Sequence, residues 1–295
     1  MSTMKYAEAA LAEPVLDAQS WEKMHSNRRG VSKRALKVPN SGHFLLSHCT
    51  IMSSVQTEEG AEDWLIRPYC SHLVNNNSDA WENTVLALSY PTFRGAFNFK
   101  EHYQNTKANK GFILDAVLRR ISISKEANPE CWVYYVDILV ATDLQHEDLI
   151  ADIKSGETKY MSMGCITDLI TCSYCGARSD GSGPTCPCLA NSKGHFLTDD
   201  AGISRHVAEL CGHKSMPGGG VRFVEASWVA NPAFPGAAKR SVVAEEWEHH
   251  GPGAKAASLL PGGYSKVASG MTIELPSPVS GNGHNVSSTE LRRLF

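Results

Sequence analysis

Cys131-Trp132-Val133-Tyr134-Tyr135-Val136-Asp137-Ile138-Leu139-Val140-Ala141 is the stretch that decides the fold class. It is rich in β-branched and aromatic residues and is broken only by Asp137, so it reads as a buried strand. The preceding run, Gly111-Phe112-Ile113-Leu114-Asp115-Ala116-Val117-Leu118-Arg119-Arg120-Ile121, reads the same way. Working outward, Phe44–Met52, Tyr160–Cys165 and Val221–Val229 add strands, and Phe93–Phe99 fits a strand or a bulged loop. Between them, His146–Ser155 has acids near its start, apolar Leu149, Ile150 and Ile153, and a stop at Gly156, the pattern of a helix of about three turns. Shorter helices are expected around Ala7–Leu16, Arg205–Leu210 and Val242–Glu248. The fold class that follows is mainly β with peripheral helices.

Turn signals divide the chain. Asn75-Asn76-Asn77-Ser78-Asp79 precedes Trp81 and the apolar run Val85–Leu88, Gly218-Gly219-Gly220 precedes the last predicted strand, and Pro232–Ala237 terminates it. Residues 1–40 read as an N-terminal arm, 41–240 as the folded domain with a cysteine-rich insertion over 165–215, and 241–295 as a tail rich in Gly, Ser, Pro and Asn.

Composition excludes several function classes. At 42% hydrophobic and 20% charged, 295 residues carry enough apolar material for a sizeable core. The formal net charge of -3 does not favour nucleic acid or an anionic membrane as partner. No stretch approaches a membrane span, and the start lacks a signal-peptide pattern.

Nine cysteines, five of them between 165 and 188, argue for reduced thiols rather than a disulfide framework. Cys172-Ser173-Tyr174-Cys175-Gly176 followed by Cys186-Pro187-Cys188 suits four thiolates on a structural zinc ion, with Gly176 allowing a tight knuckle. Cys165, His195, Cys211 and His213 are alternative ligands. Four thiolates close a site, whereas a catalytic zinc keeps an open position, and the chain has no His-Glu-x-x-His motif.

Ser162, in Tyr160-Met161-Ser162-Met163-Gly164-Cys165, is a candidate nucleophile held on a strand. His102, in Phe99-Lys100-Glu101-His102-Tyr103, is a candidate base. A third group should hold the imidazole, and Glu225, Asp137 and Asp115 are all acids within apolar strands, which is costly unless they are partnered. Backbone N–H groups at Met163 and Gly164 are candidate oxyanion donors. Cys165 is the rival nucleophile.

These residues carry a resemblance. His102 before a glycine-opened strand, Ser162-Met163-Gly164 sixty residues on, and the closing Val224-Glu225-Ala226-Ser227-Trp228-Val229-Ala230-Asn231-Pro232-Ala233 resemble the tailed-phage prohead proteases, serine peptidases similar in fold to the herpesvirus assemblins. The resemblance covers roughly residues 43–240. It implies an assemblin-like closed or partly open β-barrel, with Ser162 as nucleophile and His102 as base. It favours Glu225 over His206 or His213 as third member. It further implies a protein packaged in the procapsid in the host cytoplasm, cutting scaffold, major capsid protein and itself, with no cofactor in catalysis. It leaves oligomerisation open. The rival expectation is a non-catalytic, zinc-stabilised capsid assembly protein.

Overall fold

The computed structural model describes residues 42–123, 131–215 and 220–249. The expected arm, its helix around Ala7–Leu16, and the chain from 250 lie outside the described residues.

Thirteen strands are described: β1 (Gly42–Ser53), β2 (Asp79–Ala80), β3 (Phe97–Lys100), β4 (Gly111–Ser122), β5 (Trp132–Asp143), β6 (Tyr160–Thr167), β7 (Ile170–Cys172), β8 (Arg178–Ser179), β9 (Phe196–Thr198), β10 (Ser204–His206), β11 (Glu209–Cys211), β12 (Val221–Val229) and β13 (Ala238–His249). Seven of them hydrogen bond in a closed ring, in the order β1-β13-β6-β12-β3-β4-β5. All neighbours in the ring are antiparallel except β12 and β3, which run parallel.

The five long strand runs expected from sequence all form, and the chain is mainly β. The expected helix is Glu147–Ser155, ended by Gly156 in the left-handed region (φ 90°), where glycine carries no Cβ penalty. It buries Leu149, Ile150 and Ile153 in the main core. That core gathers residues from five ring strands, β1, β4, β5, β6 and β12, and Trp228 Nε1–H of β12 donates to Thr142 Oγ1 of β5 across the ring, so it fills the enclosed side. Trp228 and Met161 are fully buried in it.

Three local expectations are corrected. The segment Arg205–Leu210 is not helical but supplies parts of β10 and β11. Val242–Glu248 is not a helix and 241 is not the start of a tail: both lie in β13, which pairs along β1 from Thr50↔Ala238 to Gly42↔His249. Val243 and Ala244 are buried there with Phe44 and Leu46, and alternation with acids reads as strand once a partner exists. The run Val85–Leu88 lies in a helix, Asn83–Ser89, whose first turn is capped by the Glu82 side chain accepting from Thr84 N–H.

The cysteine-rich insertion forms a second layer against residues 54–82. Its sheet has the order β2-β11-β7-β8, so β2 binds it by parallel pairing with β11. Arg205 Nη1 meets Glu58 Oε1 at 3.0 Å, Lys193 Nζ meets Asp79 Oδ1 at 2.9 Å, and a Cβ on Gly176 would lie 2.6 Å from the Trp64 ring. The insertion is therefore docked on the domain and does not hang from it.

Candidate functional site

A bulge sets the geometry of the site. Phe223 faces the core, stacked on Phe93 at 4.1 Å between ring centroids. Strict alternation would turn Glu225 inward as well. The register between β12 and β6 slips between Phe223 and Glu225, the extra residue being Val224. After the slip Ala226 and Trp228 face the core, and Glu225 and Ser227 face the opposite side.

Antiparallel register then assembles the face. Ser162 lies opposite Ser227, and Gly164 lies opposite Glu225. Directly opposed residues and residues two apart share a face, so all four lie together. Phe97 and Phe99 of β3 are in register with Glu225 and Ser227.

His102 arrives from the other side of β12. Past Lys100 the chain makes a left-handed turn, with φ of 51° at Glu101 and 53° at His102. Left-handed backbone costs on the order of 1–2 kcal/mol per non-glycine residue. The turn is anchored: Glu101 N–H donates to Trp228 O at 2.9 Å, and Ala230 N–H donates to Glu101 Oε1 at 2.8 Å. It brings His102 Nδ1 to 2.7 Å from Glu225 Oε1. Glu225 is 1% exposed, and its Oε2 accepts from Ser227 Oγ. The hydrogen bond to Glu225 raises the His102 pKa, outweighing the partial burial that lowers it. With Nδ1 engaged, Nε2 is the nitrogen left for proton transfer.

Ser162 is 5% exposed, and among the described residues its hydroxyl makes no hydrogen bond. It is not bonded to His102. The two share the face through Glu225, which is the diagonal neighbour of Ser162, a spacing of about 7–8 Å between backbones that long side chains span. Ser162 and Met163 line a pocket with Ile51, Met52, Trp81 and Phe234.

The pocket lies beside the shortest join of the ring. β13 pairs with β6 only at Ala238↔Tyr160, and Met161 N–H donates to Ala237 O. Beyond that point no strand covers this edge of β6 among the described residues. Alternation from Met161 directs the Met163 N–H to the open edge and the Gly164 N–H toward β12. Of the two expected oxyanion donors, only Met163 therefore has its N–H at the open edge. Gly164 is small for another reason: a Cβ there would lie 2.4 Å from Glu225 Oε1. Gly164→Ala should push Glu225 off its bond to His102 and cost about 1–3 kcal/mol by overpacking, read from urea midpoints. An unchanged midpoint would mean that the carboxylate has room to move.

The other two acids are occupied elsewhere. Asp137 meets Arg119 Nε at 2.6 Å and His48 Nε2 at 3.1 Å and accepts from Thr50 Oγ1 at 2.7 Å. Burial pushes its pKa up, but these partners outweigh burial and hold it below the usual carboxylate range. Asp115 pairs with Arg94 at 2.6 Å. His206 and His213 also lie apart, His206 stacked on Phe196 and His213 beside Asp63. Cys165 is a poor rival nucleophile, since burial pushes its thiol up to about 12.

The insertion brings Cys172, Cys175, Cys186 and Cys188 together, with all four sulfurs within 4.8 Å of one another. Tetrahedral Zn–S bonds of about 2.3 Å require sulfurs about 3.8 Å apart, so the cluster fits a structural zinc ion with small adjustment. Cys172 ends β7, Gly176 N–H donates to Cys172 O at 3.0 Å, and Gly176 takes φ 71°, the tight knuckle its residue type allows. Cys186 and Cys188 sit at the start of the short helix Pro187–Ser192. The alternative ligands Cys165, His195, Cys211 and His213 are not part of the cluster. No protein family model, curated protein or solved structure matches the chain. No helix among the described residues is long and apolar enough to cross a membrane.

Sequence reasoning proposed Ser162, His102 and Glu225 singly and did not single out Ser227, which the structure places on the same face. The signal was its spacing, two residues after a buried acid on the same strand.

Proposed function

We propose that the protein is a serine endopeptidase of the prohead-protease type, built on an assemblin-like barrel, that cuts scaffold and major capsid protein, and itself, inside the procapsid. The observation that carries the reading is the bond from His102 Nδ1 to buried Glu225, on the face that also holds the unbonded Ser162 hydroxyl.

In this reading an extended peptide lies along the open edge of β6. The Ser162 hydroxyl attacks the scissile carbonyl carbon while its proton passes to His102 Nε2. The Met163 N–H receives the oxyanion. Collapse breaks the C–N bond, His102 returns the proton to the leaving amine, and water then cleaves the acyl-enzyme by the same route. Closing the gap between His102 and Ser162 accompanies substrate binding, since catalytic hydrogen bonds are often long without substrate. The thiolate-saturated zinc site takes no part in these steps and would order the insertion.

The base must be neutral to act. Because Glu225 raises the His102 pKa, activity should rise through a midpoint above the ordinary imidazole value of about 6.5. Glu225→Gln should move that midpoint down and lower the maximum rate. The same linkage acts on stability with opposite sense. The His102–Glu225 contribution is full below the unfolded imidazole pKa and is lost as pH rises through the folded one. A pH–rate profile that does not respond to Glu225→Gln would remove His102 as the base.

A second reading is a non-catalytic assembly protein, favoured by the missing bond between Ser162 and His102 and by the docked insertion. The two separate on one experiment, co-expression with the cognate capsid and scaffold proteins followed by intact-mass analysis. Fragments that appear with the wild-type chain support the peptidase. Uncut partners in a stable complex with it support the assembly protein.

A further inference from the structure

We infer that Ser227 is a positioning residue that holds the Glu225 carboxylate on His102, an inference that rests on reading His102 and Glu225 as a working pair. Glu225 is all but sealed from water, and an ionised carboxylate in such a place needs donors on both oxygens. Oε1 has His102 Nδ1 and Oε2 has Ser227 Oγ. Ser227 is itself fully buried. It could have faced its cross-strand partner Ser162, but its hydroxyl is given to Glu225.

Three local features serve the same end. The bulge at Val224 turns Glu225 and Ser227 to one face, two residues apart. Gly164 leaves the space that Glu225 Oε1 fills. The left-handed turn at Glu101 and His102 delivers the imidazole to that oxygen. Ser227 is the one side chain of this group whose hydroxyl fixes the rotation of the carboxylate about its last bond. Without that donor, the Glu225 carboxylate is free to turn about its last bond away from His102. That withdraws negative charge from His102 Nδ1, so the imidazole pKa falls toward its ordinary value.

The test uses the full chain with Ser227→Ala, Ser227→Cys and Ser227→Thr. The cysteine variant keeps the volume with a much weaker donor, and it carries the test if the alanine variant does not fold. The threonine variant keeps the hydroxyl. Two quantities are read: the NMR titration midpoint of His102, and the rate at which a fluorophosphonate probe labels Ser162. The alanine and cysteine variants should show a lower midpoint and labelling slowed about tenfold or more, the scale of a hydrogen bond to a charged group. Threonine should restore both. A His102 midpoint unchanged in the alanine or cysteine variant overturns the inference. If the wild-type chain itself is not labelled, the peptidase reading fails, and the titration still decides the role of Ser227.

Discussion

Ser162→Ala should abolish covalent labelling by a fluorophosphonate and all cleavage of capsid and scaffold partners, while leaving the fold intact. Removing the nucleophile of a serine peptidase costs on the order of a millionfold in kcat. The stability change should be small, within about 0.5 kcal/mol. The reason is specific to this site: the hydroxyl makes no hydrogen bond among the described residues, so its removal leaves no buried partner unsatisfied. A serine whose hydroxyl is hydrogen-bonded within the fold behaves in the opposite way. Ser173, for example, donates to His206 O at 2.7 Å and accepts from Ala208 N–H at 2.7 Å, and its replacement should destabilise without touching chemistry. Cleavage assays paired with thermal unfolding of Ser162→Ala therefore discriminate sharply. Persistent cleavage would sink the assignment of chemistry to this residue, and a large loss of stability would mark it as structural.

Metal removal should have the second large effect. The purified chain is expected to carry one zinc ion, released by a strong chelator and lost in Cys175→Ser. Structural zinc in small domains supplies apparent binding free energies of about 10–16 kcal/mol, which become folding free energy because no formed site exists in the unfolded chain. Here the cysteines hold strands that reach the candidate active face. Cys172 ends β7, β7 pairs with β11, β11 pairs with β2, and Trp81 follows β2 directly into the pocket beside Ser162. Hydrogen exchange should show β7, β11 and β2 losing protection on metal removal, while β4 and β5 keep theirs. Metal content by elemental analysis provides the check. A metal-free chain with full protection in the insertion would show that the thiols pack without an ion.

The outline of the fold was legible because its strands are long and strongly apolar. β4 and β5 sit in a ring with neighbours on both edges and show as nearly continuous hydrophobic runs, while β12 shows by its alternation. β13 was not legible. Its Val242–Glu248 portion carries three glutamates and a tryptophan, and only pairing with β1 makes a strand of it. β10 and β11 are three residues each, too short for any periodicity to register. The four clustered thiols were legible because a cluster made from one chain segment leaves its spacing in the sequence.

What the sequence by itself determined is the mainly β class, the helix ended at Gly156, the four clustered thiols, and the separate candidacies of Ser162, His102 and Glu225. Each depends on residues near one another in the chain. Only the tertiary structure decided which acid meets His102. Asp137, Asp115 and Glu225 are alike in sequence, each an acid in an apolar strand, and their partners in space distinguish them: Arg119 and His48 for Asp137, Arg94 for Asp115, and His102 for Glu225. The structure likewise decided that Glu225 faces away from the core. One extra residue at Val224 reverses the alternation of a strand, and a reversal of that kind is set by register against β6, across some sixty residues of intervening chain.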